Sequence, residues 1–94
     1  MEKEPHTRHI YLDNAATTRP LPEVILTMGQ VMYATFANPS SAHHDGHEAK
    51  ATVEQARREI AQTLGAHHSQ IIFTSGGTES DNTVLQGARA AGIR

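Results

Sequence analysis

The chain has 94 residues, a hydrophobic content of 37%, 4% aromatic residues and a formal net charge of −2. This length suits one small domain or a part of a larger one, and a short chain buries a smaller share of its surface than a long one. Because the net charge is slightly negative, the chain has no excess of positive charge to attract nucleic acid or an anionic membrane. The absence of cysteine excludes disulfides and thiolate chemistry within the chain.

Residues 1–19 are predicted to form an N-terminal arm. The first residues of the chain contain no apolar run of the kind that a secretory signal requires, so we expect a cytoplasmic location. A short apolar stretch at residues 10–12 predicts a brief extended segment. The Asp13-Asn14 pair that follows is typical of a turn.

Two helices are predicted in the first two thirds of the chain. Apolar residues at three- and four-residue spacing predict the first from about Pro22 to Ala34, with a proline in the first turn, where its missing N–H costs nothing. The second is predicted from between Ser41 and Glu48 up to Leu64, where Gly65 ends it. Its buried stripe is predicted at Ala49, Val53, Ala56, Ile60 and Leu64, and Glu54 with Arg58 is expected to form a solvated pair.

The β-branched and aromatic residues of Gln70 to Thr74 predict a strand. Their continuous apolarity favours burial on both faces, as in the sheet of an α/β protein. A third helix is predicted from about Thr78 to Ala91, with Gly92 as its stop. A single strand cannot satisfy its own backbone groups, so we expect the sequence to be incomplete. Self-association, domain exchange or loss of the strand is the expected consequence.

The loop between this strand and the third helix contains paired glycines, Gly76 and Gly77, followed by Thr78. Glycines at a helix N-terminus let free backbone N–H groups approach an anion, with the positive end of the helix dipole behind them. A plain capped helix start explains the same residues, with Thr78 as the cap and Asp81 as the acidic partner of a capping box. The loop has neither the lysine of a nucleotide P-loop nor the spacing of a dinucleotide-binding loop, and both readings stay open.

Three stretches occur in a fixed order: YLDNAATT (11–18), FANPSSAHHDG (36–46) and IIFTSGGTESDN (71–82). Together they resemble the opening portion of the cysteine desulfurases, which are pyridoxal-phosphate enzymes of the class V aminotransferase group. The resemblance runs from about Ile10 to the end of the chain. It implies that residues 20–94 form the start of the cofactor-binding domain of an α/β transferase fold.

The resemblance also implies a site. Gly77 and Thr78 would hold the phosphate of pyridoxal 5'-phosphate. The stretch that contains Asn14 and Ala15 would lie near the substrate, and the stretch from Asn38 to His43 near the dimer interface and the rim of the active site. The family removes sulfur from L-cysteine, leaving alanine and an enzyme persulfide that is passed to sulfur-acceptor proteins and iron–sulfur cluster assembly.

The chain lacks the residues that carry out catalysis in this family. Its only lysines, Lys3 and Lys50, do not match the family's cofactor-bearing lysine, and it has no cysteine to act as nucleophile. We therefore expect an N-terminal portion of a cysteine desulfurase, inert by itself, without bound cofactor, and self-associating or dimeric. A non-catalytic interaction or split-protein module, a selenocysteine lyase and a sister aminotransferase remain as alternatives.

The seven histidines give one metal candidate. His43 and His47 are four residues apart, a spacing that can bind zinc on a helix, but no third ligand completes the set. His43 also matches the histidine of the family's NPSS stretch. We expect no metal site, and we expect His67 and His68 to be solvated loop residues.

Overall fold

The computed structural model describes residues 8–94, so the first part of the predicted arm, with Lys3, lies outside the described residues. The described elements are three α-helices and one short 3₁₀ helix: α1 (Pro22–Ala34), α2 (His44–Leu64), the 3₁₀ helix (His68–Gln70) and α3 (Gly77–Ala90). The chain divides into a first unit that ends at Phe36 and a second unit from Ala37 to Arg94.

The first unit contains the predicted turn and α1. The carbonyl of Asp13 accepts hydrogen bonds from the Ala16 N–H at 3.1 Å and from the Tyr11 hydroxyl at 3.0 Å, so the turn prediction is confirmed. The helix α1 has the predicted bounds because Pro22 in its first turn already has the helical φ. No residue of α1 is buried, so its apolar face is present but uncovered in this structure.

Helix α2 ends as predicted. Gly65 follows it with a φ of 66°, in the left-handed region that favours glycine, and the Ala66 N–H donates to the Ala61 carbonyl at 2.8 Å. This bond satisfies one of the carbonyl groups that the end of a helix leaves without a partner.

The predicted buried stripe of α2 is only partly right. Ala49 is buried, but Ile60 and Leu64 are 40% and 69% exposed, and the most deeply buried residue is Ala61 at 2% exposure, which the stripe omitted. Within the described second unit, the 3₁₀ helix is the element that packs on α2. The buried residues of α2 are small: Gly46, Ala49 and Ala61.

The predicted strand is not formed. Gln70 ends the 3₁₀ helix, and residues 71–74 carry no strand, so the part of the chain that the structure describes is helical rather than α/β. The physical reason is that a strand needs a partner for its N–H and C=O groups, and residues 8–94 offer none. His67 and His68, expected in a plain loop, instead begin the 3₁₀ helix. The His67 N–H donates to Gln70 Oε1 at 2.9 Å.

Helix α3 begins at Gly77, one residue before its predicted start, and ends at Ala90. Gly92 follows with a φ of 76°, and the Ile93 N–H donates to the Ala88 carbonyl at 3.0 Å, so its role as the stop is confirmed. None of the helices in residues 8–94 has the length and apolarity needed to cross a membrane.

Candidate phosphate-binding loop

The glycine loop leaves backbone donors open at the start of α3. Gly76 is the residue before the helix, with an extended φ of 168°, and Gly77 and Thr78 are its first two helical residues. The N–H groups of Gly77 and Thr78 have no acceptor among the described residues. A Cβ atom at Gly76 or Gly77 would meet no other atom within 4 Å. Free donors, the positive end of a 14-residue helix and open space therefore coincide here.

The helix is not capped in the predicted way. Thr78 lies inside the helix, and the acidic residue that closes the loop is Glu79 rather than Asp81. The Ser75 N–H donates to Glu79 Oε2 at 3.0 Å, and the Ser75 hydroxyl donates to the same oxygen. The capping-box rule was applied two residues too late, because the residue before the helix is Gly76 rather than Thr78 and the third helical residue is Glu79 rather than Asp81.

These two bonds favour the ionised carboxylate of Glu79. The hydroxyl of Ser75 is the larger cause and its backbone N–H the smaller one, and together they lower the pKa of Glu79 below the usual glutamate value. The loop therefore carries a fixed negative charge next to its open donors.

A second set of bonds closes the other side of the loop. The Thr74 hydroxyl donates to the Gly76 carbonyl at 3.1 Å, and it lies 2.6 Å from the Ser80 hydroxyl, from which it can accept. Thr74 and Ser80 also line a shallow pocket of about 200 Å³, which Gly77 and Thr78 do not line. The loop is thus held at Ser75 and at Gly76, the two residues that precede the helix.

Thr78 is exposed and its side chain is available. Its carbonyl accepts a hydrogen bond from Asn82 Nδ2 at 2.8 Å, whereas its hydroxyl has no partner among the described residues. The hydroxyl therefore remains free to donate to a ligand oxygen.

Asn14 and Ala15 lie in the first unit and are described separately. Asn14 lines a pocket of about 430 Å³, whereas Ala15 does not line it. The other lining residues are His9, Tyr11, Thr17, Thr18 and Arg19. This pocket is polar at several points, as a small-molecule site requires.

The NPSS turn is built from its own side chains. Asn38 Oδ1 accepts from the Ser40 N–H at 2.9 Å, and the Asn38 carbonyl accepts from the Ser41 N–H at 3.0 Å. The turn packs against Gly46 of α2, where a Cβ atom would lie 2.8 Å from Ser41 Cβ and 2.9 Å from the Asn38 carbonyl oxygen. The backbone approach at Gly46 therefore requires glycine.

The chain matches a known protein family over most of its length. Residues 10–94 match the family model for Aminotransferase class-V. The chain belongs to the class V aminotransferase family. No solved structure matches it.

The curated relatives of this class V chain include proteins named cysteine desulfurase and one named selenocysteine lyase. It is 48% identical over 84 residues to cysteine desulfurase IscS of Dictyoglomus turgidum, a match that covers 89% of this chain and 21% of the relative. It is 50% identical over 82 residues to a cysteine desulfurase of Bradyrhizobium diazoefficiens, covering 86% and 21%. It is 44% identical over 82 residues to a selenocysteine lyase of Bos taurus, covering 87% and 19%. The chain spans about one fifth of the length of the curated relatives it matches.

The candidate zinc pair of the sequence analysis, His43 and His47, does not lie on one helix. His43 precedes α2 and caps it, since its Nδ1 accepts the Gly46 N–H at 3.2 Å. A different exposed group in the described residues, His44, Asp45 and Glu48, brings three ligand atoms within 4.8 Å of one another. Exposed groups of this kind are common without an ion, and the positive end of the α2 dipole disfavours a cation there.

Proposed function

We propose that the chain supplies the phosphate-binding segment of a pyridoxal-phosphate-dependent cysteine desulfurase. The observation that supports this most directly is the pair of unpartnered N–H groups of Gly77 and Thr78 at the start of α3. The relatives of this class V chain that carry the name cysteine desulfurase support the choice of enzyme.

The residues of the loop fit a phosphate group. A phosphate needs several donors and a positive potential, and the first turn of a helix provides both. Gly77 leaves room for the ligand because it has no side chain, and the Thr78 hydroxyl adds a donor. These two residues would hold the phosphate of pyridoxal 5'-phosphate.

Bound pyridoxal phosphate would supply the electron sink for chemistry at the substrate α-carbon. This chain's part is to bind and orient the phosphate end of the cofactor. We propose further that Asn14 and Ala15 lie near the substrate, L-cysteine, in the whole enzyme. The pocket that Asn14 lines supports this for Asn14.

The chain by itself is expected to be inactive and to retain no cofactor. It has no cysteine to accept sulfur, and Lys50, the lysine within the described residues, lies exposed on α2. We expect sulfide release from L-cysteine at the background rate and no stoichiometric borohydride-trapped adduct. Trapping of a single adduct at Lys50 would contradict this proposal.

A selenocysteine lyase is the second candidate, favoured by the 44% identity to the bovine enzyme of that name. Both candidates would use the same phosphate loop, so they would differ in substrate rather than in the residues of this loop. A sister aminotransferase and a non-catalytic interaction or split-protein module remain the further alternatives. Activity of the chain on neither substrate, together with absent phosphate binding at the loop, would favour the module.

The exposed apolar side chains support an association with further protein. Met32 on α1, Ile72 before the glycine loop and Leu85 on α3 are each at least two-thirds exposed. Large apolar side chains left exposed on several elements could be covered by other protein. We propose self-association or a homodimer, with sulfur-acceptor proteins of iron–sulfur cluster assembly as partners of the whole enzyme in the cytoplasm. A monodisperse monomer by light scattering would contradict the self-association.

The phosphate proposal is tested by titrating the isotope-labelled chain with inorganic phosphate and following backbone amide signals by NMR. Binding without a covalent tether is expected to be weak, with a Kd in the roughly millimolar range. The amide signals of Gly77 and Thr78 are expected to shift most. Equal shifts at the starts of α1 and α2 would indicate general anion binding and would contradict a specific loop.

A further inference from the structure

The carboxylate of Glu79 stands out because it lies in the loop proposed to bind an anion. It accepts the Ser75 N–H at 3.0 Å together with the Ser75 hydroxyl, while its own residue is exposed on the first turn of α3. Simple electrostatics predicts that a negative charge in this place weakens the binding of another anion. Its presence therefore needs a second explanation.

The bonds of Glu79 fix the backbone just before the open donors. They join Ser75, which lies two residues before the helix, to Glu79, the third residue of the helix. The Thr74 hydroxyl holds the Gly76 carbonyl from the other side, and the Ser80 N–H donates to the same carbonyl at 3.1 Å. Ser75 is thereby held by Glu79, and the Gly76 carbonyl is held by the Thr74 hydroxyl and by the first hydrogen bond of the helix.

We propose that Glu79 is a positioning residue of the phosphate loop, which holds Ser75 so that the N–H groups of Gly77 and Thr78 stay in place for the ligand. This inference rests on the proposed function, because it concerns the same loop. A donor pair that is already ordered loses less conformational entropy when it binds, so preorganisation strengthens binding.

The competing explanation is that the Glu79 carboxylate acts as an internal anion and occupies the donors that a phosphate would use. The geometry favours positioning. Glu79 bonds to Ser75 and leaves the N–H groups of Gly77 and Thr78 without a partner among the described residues. The two explanations predict opposite signs when the carboxylate is removed.

The experiment compares Glu79→Ala and Glu79→Gln with Asp81→Ala in the 94-residue chain. Asp81 is an exposed residue of the same helix with the same charge and no bond to Ser75, so its removal reports the electrostatic effect alone. Inorganic phosphate and pyridoxal phosphate are titrated separately, and the amide signals of Ser75, Gly77 and Thr78 are followed by NMR. Circular dichroism of each variant confirms that helix content is retained.

We expect Asp81→Ala to leave the phosphate Kd unchanged or to lower it by up to about twofold, because one repulsive charge is removed. Glu79→Ala is expected to raise the Kd by about threefold to tenfold, although it removes the same charge. The Ser75 amide is expected to lose its hydrogen-bonded shift and its protection from exchange even without ligand. Glu79→Gln keeps an acceptor oxygen, so its phosphate Kd is expected to lie between those of the unsubstituted chain and Glu79→Ala.

The outcomes separate the inference from the function on which it rests. If phosphate does not shift the amide signals of Gly77 and Thr78 in the unsubstituted chain, the proposed function is wrong, and the inference that rests on it is wrong as well. If phosphate binds there but Glu79→Ala leaves the Kd unchanged or lowers it, the positioning role alone is wrong. Loss of the folded spectrum in Glu79→Ala would leave the comparison to Glu79→Gln, whose Kd must rise for the inference to hold.

Discussion

Arg57 donates its Nη1 N–H to the carbonyl of Ile71 at 2.5 Å, which ties α2 to the segment that leads into the glycine loop. The Arg57 guanidinium also lies 4.7 Å from the ring centroid of Phe73 and 3.3 Å from a carboxylate oxygen of Glu54. The predicted pair of Glu54 with Arg58 was therefore wrong, because residue 57 is the one whose side chain reaches back across α2. Arg57 therefore holds residues 71–73 against α2, directly before the glycine loop.

Replacement of Arg57 by alanine is expected to lower the free energy of unfolding by about 1–3 kcal/mol, because a charge-assisted hydrogen bond and a cation–π contact are lost together. Arg58→Ala is the matched control, since Arg58 is exposed on the next position of α2. Its effect is expected to stay within about 0.5 kcal/mol. Urea unfolding followed by circular dichroism measures both. Equal effects of the two substitutions would contradict the anchoring role of Arg57.

Gly46→Ala is expected to destabilise the chain by about 1–3 kcal/mol, because a methyl group there would clash with the turn at Asn38 and Ser41. Gly87→Ala on α3 is the control, as a Cβ atom there meets nothing within 4 Å. It is expected to stabilise the helix by about 0.5–1 kcal/mol, because alanine has the higher helix propensity. Thermal unfolding distinguishes the opposite signs. Stabilisation by both substitutions would show that the close approach at Gly46 is not kept in solution.

Thr78→Val is expected to raise the Kd for inorganic phosphate by about fivefold, because one hydrogen bond from its hydroxyl is lost. Thr83→Val on the same helix is the control, since the Thr83 hydroxyl already donates to the Glu79 carbonyl at 2.7 Å. Both changes remove a hydroxyl from a β-branched residue, so their effects on helix propensity are alike. Amide shifts in an NMR titration report the two Kd values. A Kd that Thr78→Val leaves unchanged would restrict the phosphate contact to the backbone.

The bond between Ser75 and Glu79 is expected to depend on pH. The folded pKa of Glu79 lies below its usual value of 4.5, so the bond stabilises the loop above the unfolded pKa and is lost as the pH falls through the folded pKa. The Ser75 amide signal is therefore expected to titrate with a midpoint below 4.5. In Glu79→Gln this transition should disappear. A Ser75 midpoint at or above the usual glutamate value would show that the carboxylate gains nothing from the bond.

The sequence identified the place of the candidate site but not its construction. The glycine loop and its two donor residues follow from local chemistry, because glycines at a helix start have the same consequences in any fold. Glu79 was missed because the predicted cap, Thr78, lies two residues after the residue that precedes the helix, and sequence rules do not locate a helix start that closely. Arg57 was missed because the bond to Ile71 spans 14 residues, and side-chain pairing rules reach only three or four along a helix.

The amino-acid sequence by itself determined that three helices form, both ends of α1, the C-terminal end of α2 and the stop after α3. Pro22, Gly65 and Gly92 act through their own backbone conformations, and a helix satisfies its hydrogen bonds within a few residues of the chain. Only the tertiary structure decided that Gln70 to Thr74 is not a strand, that Ala61 rather than Leu64 is covered, and that Gly46 lies against the NPSS turn. Each of these depends on contacts between residues that are separated along the chain, and the local sequence does not specify such contacts.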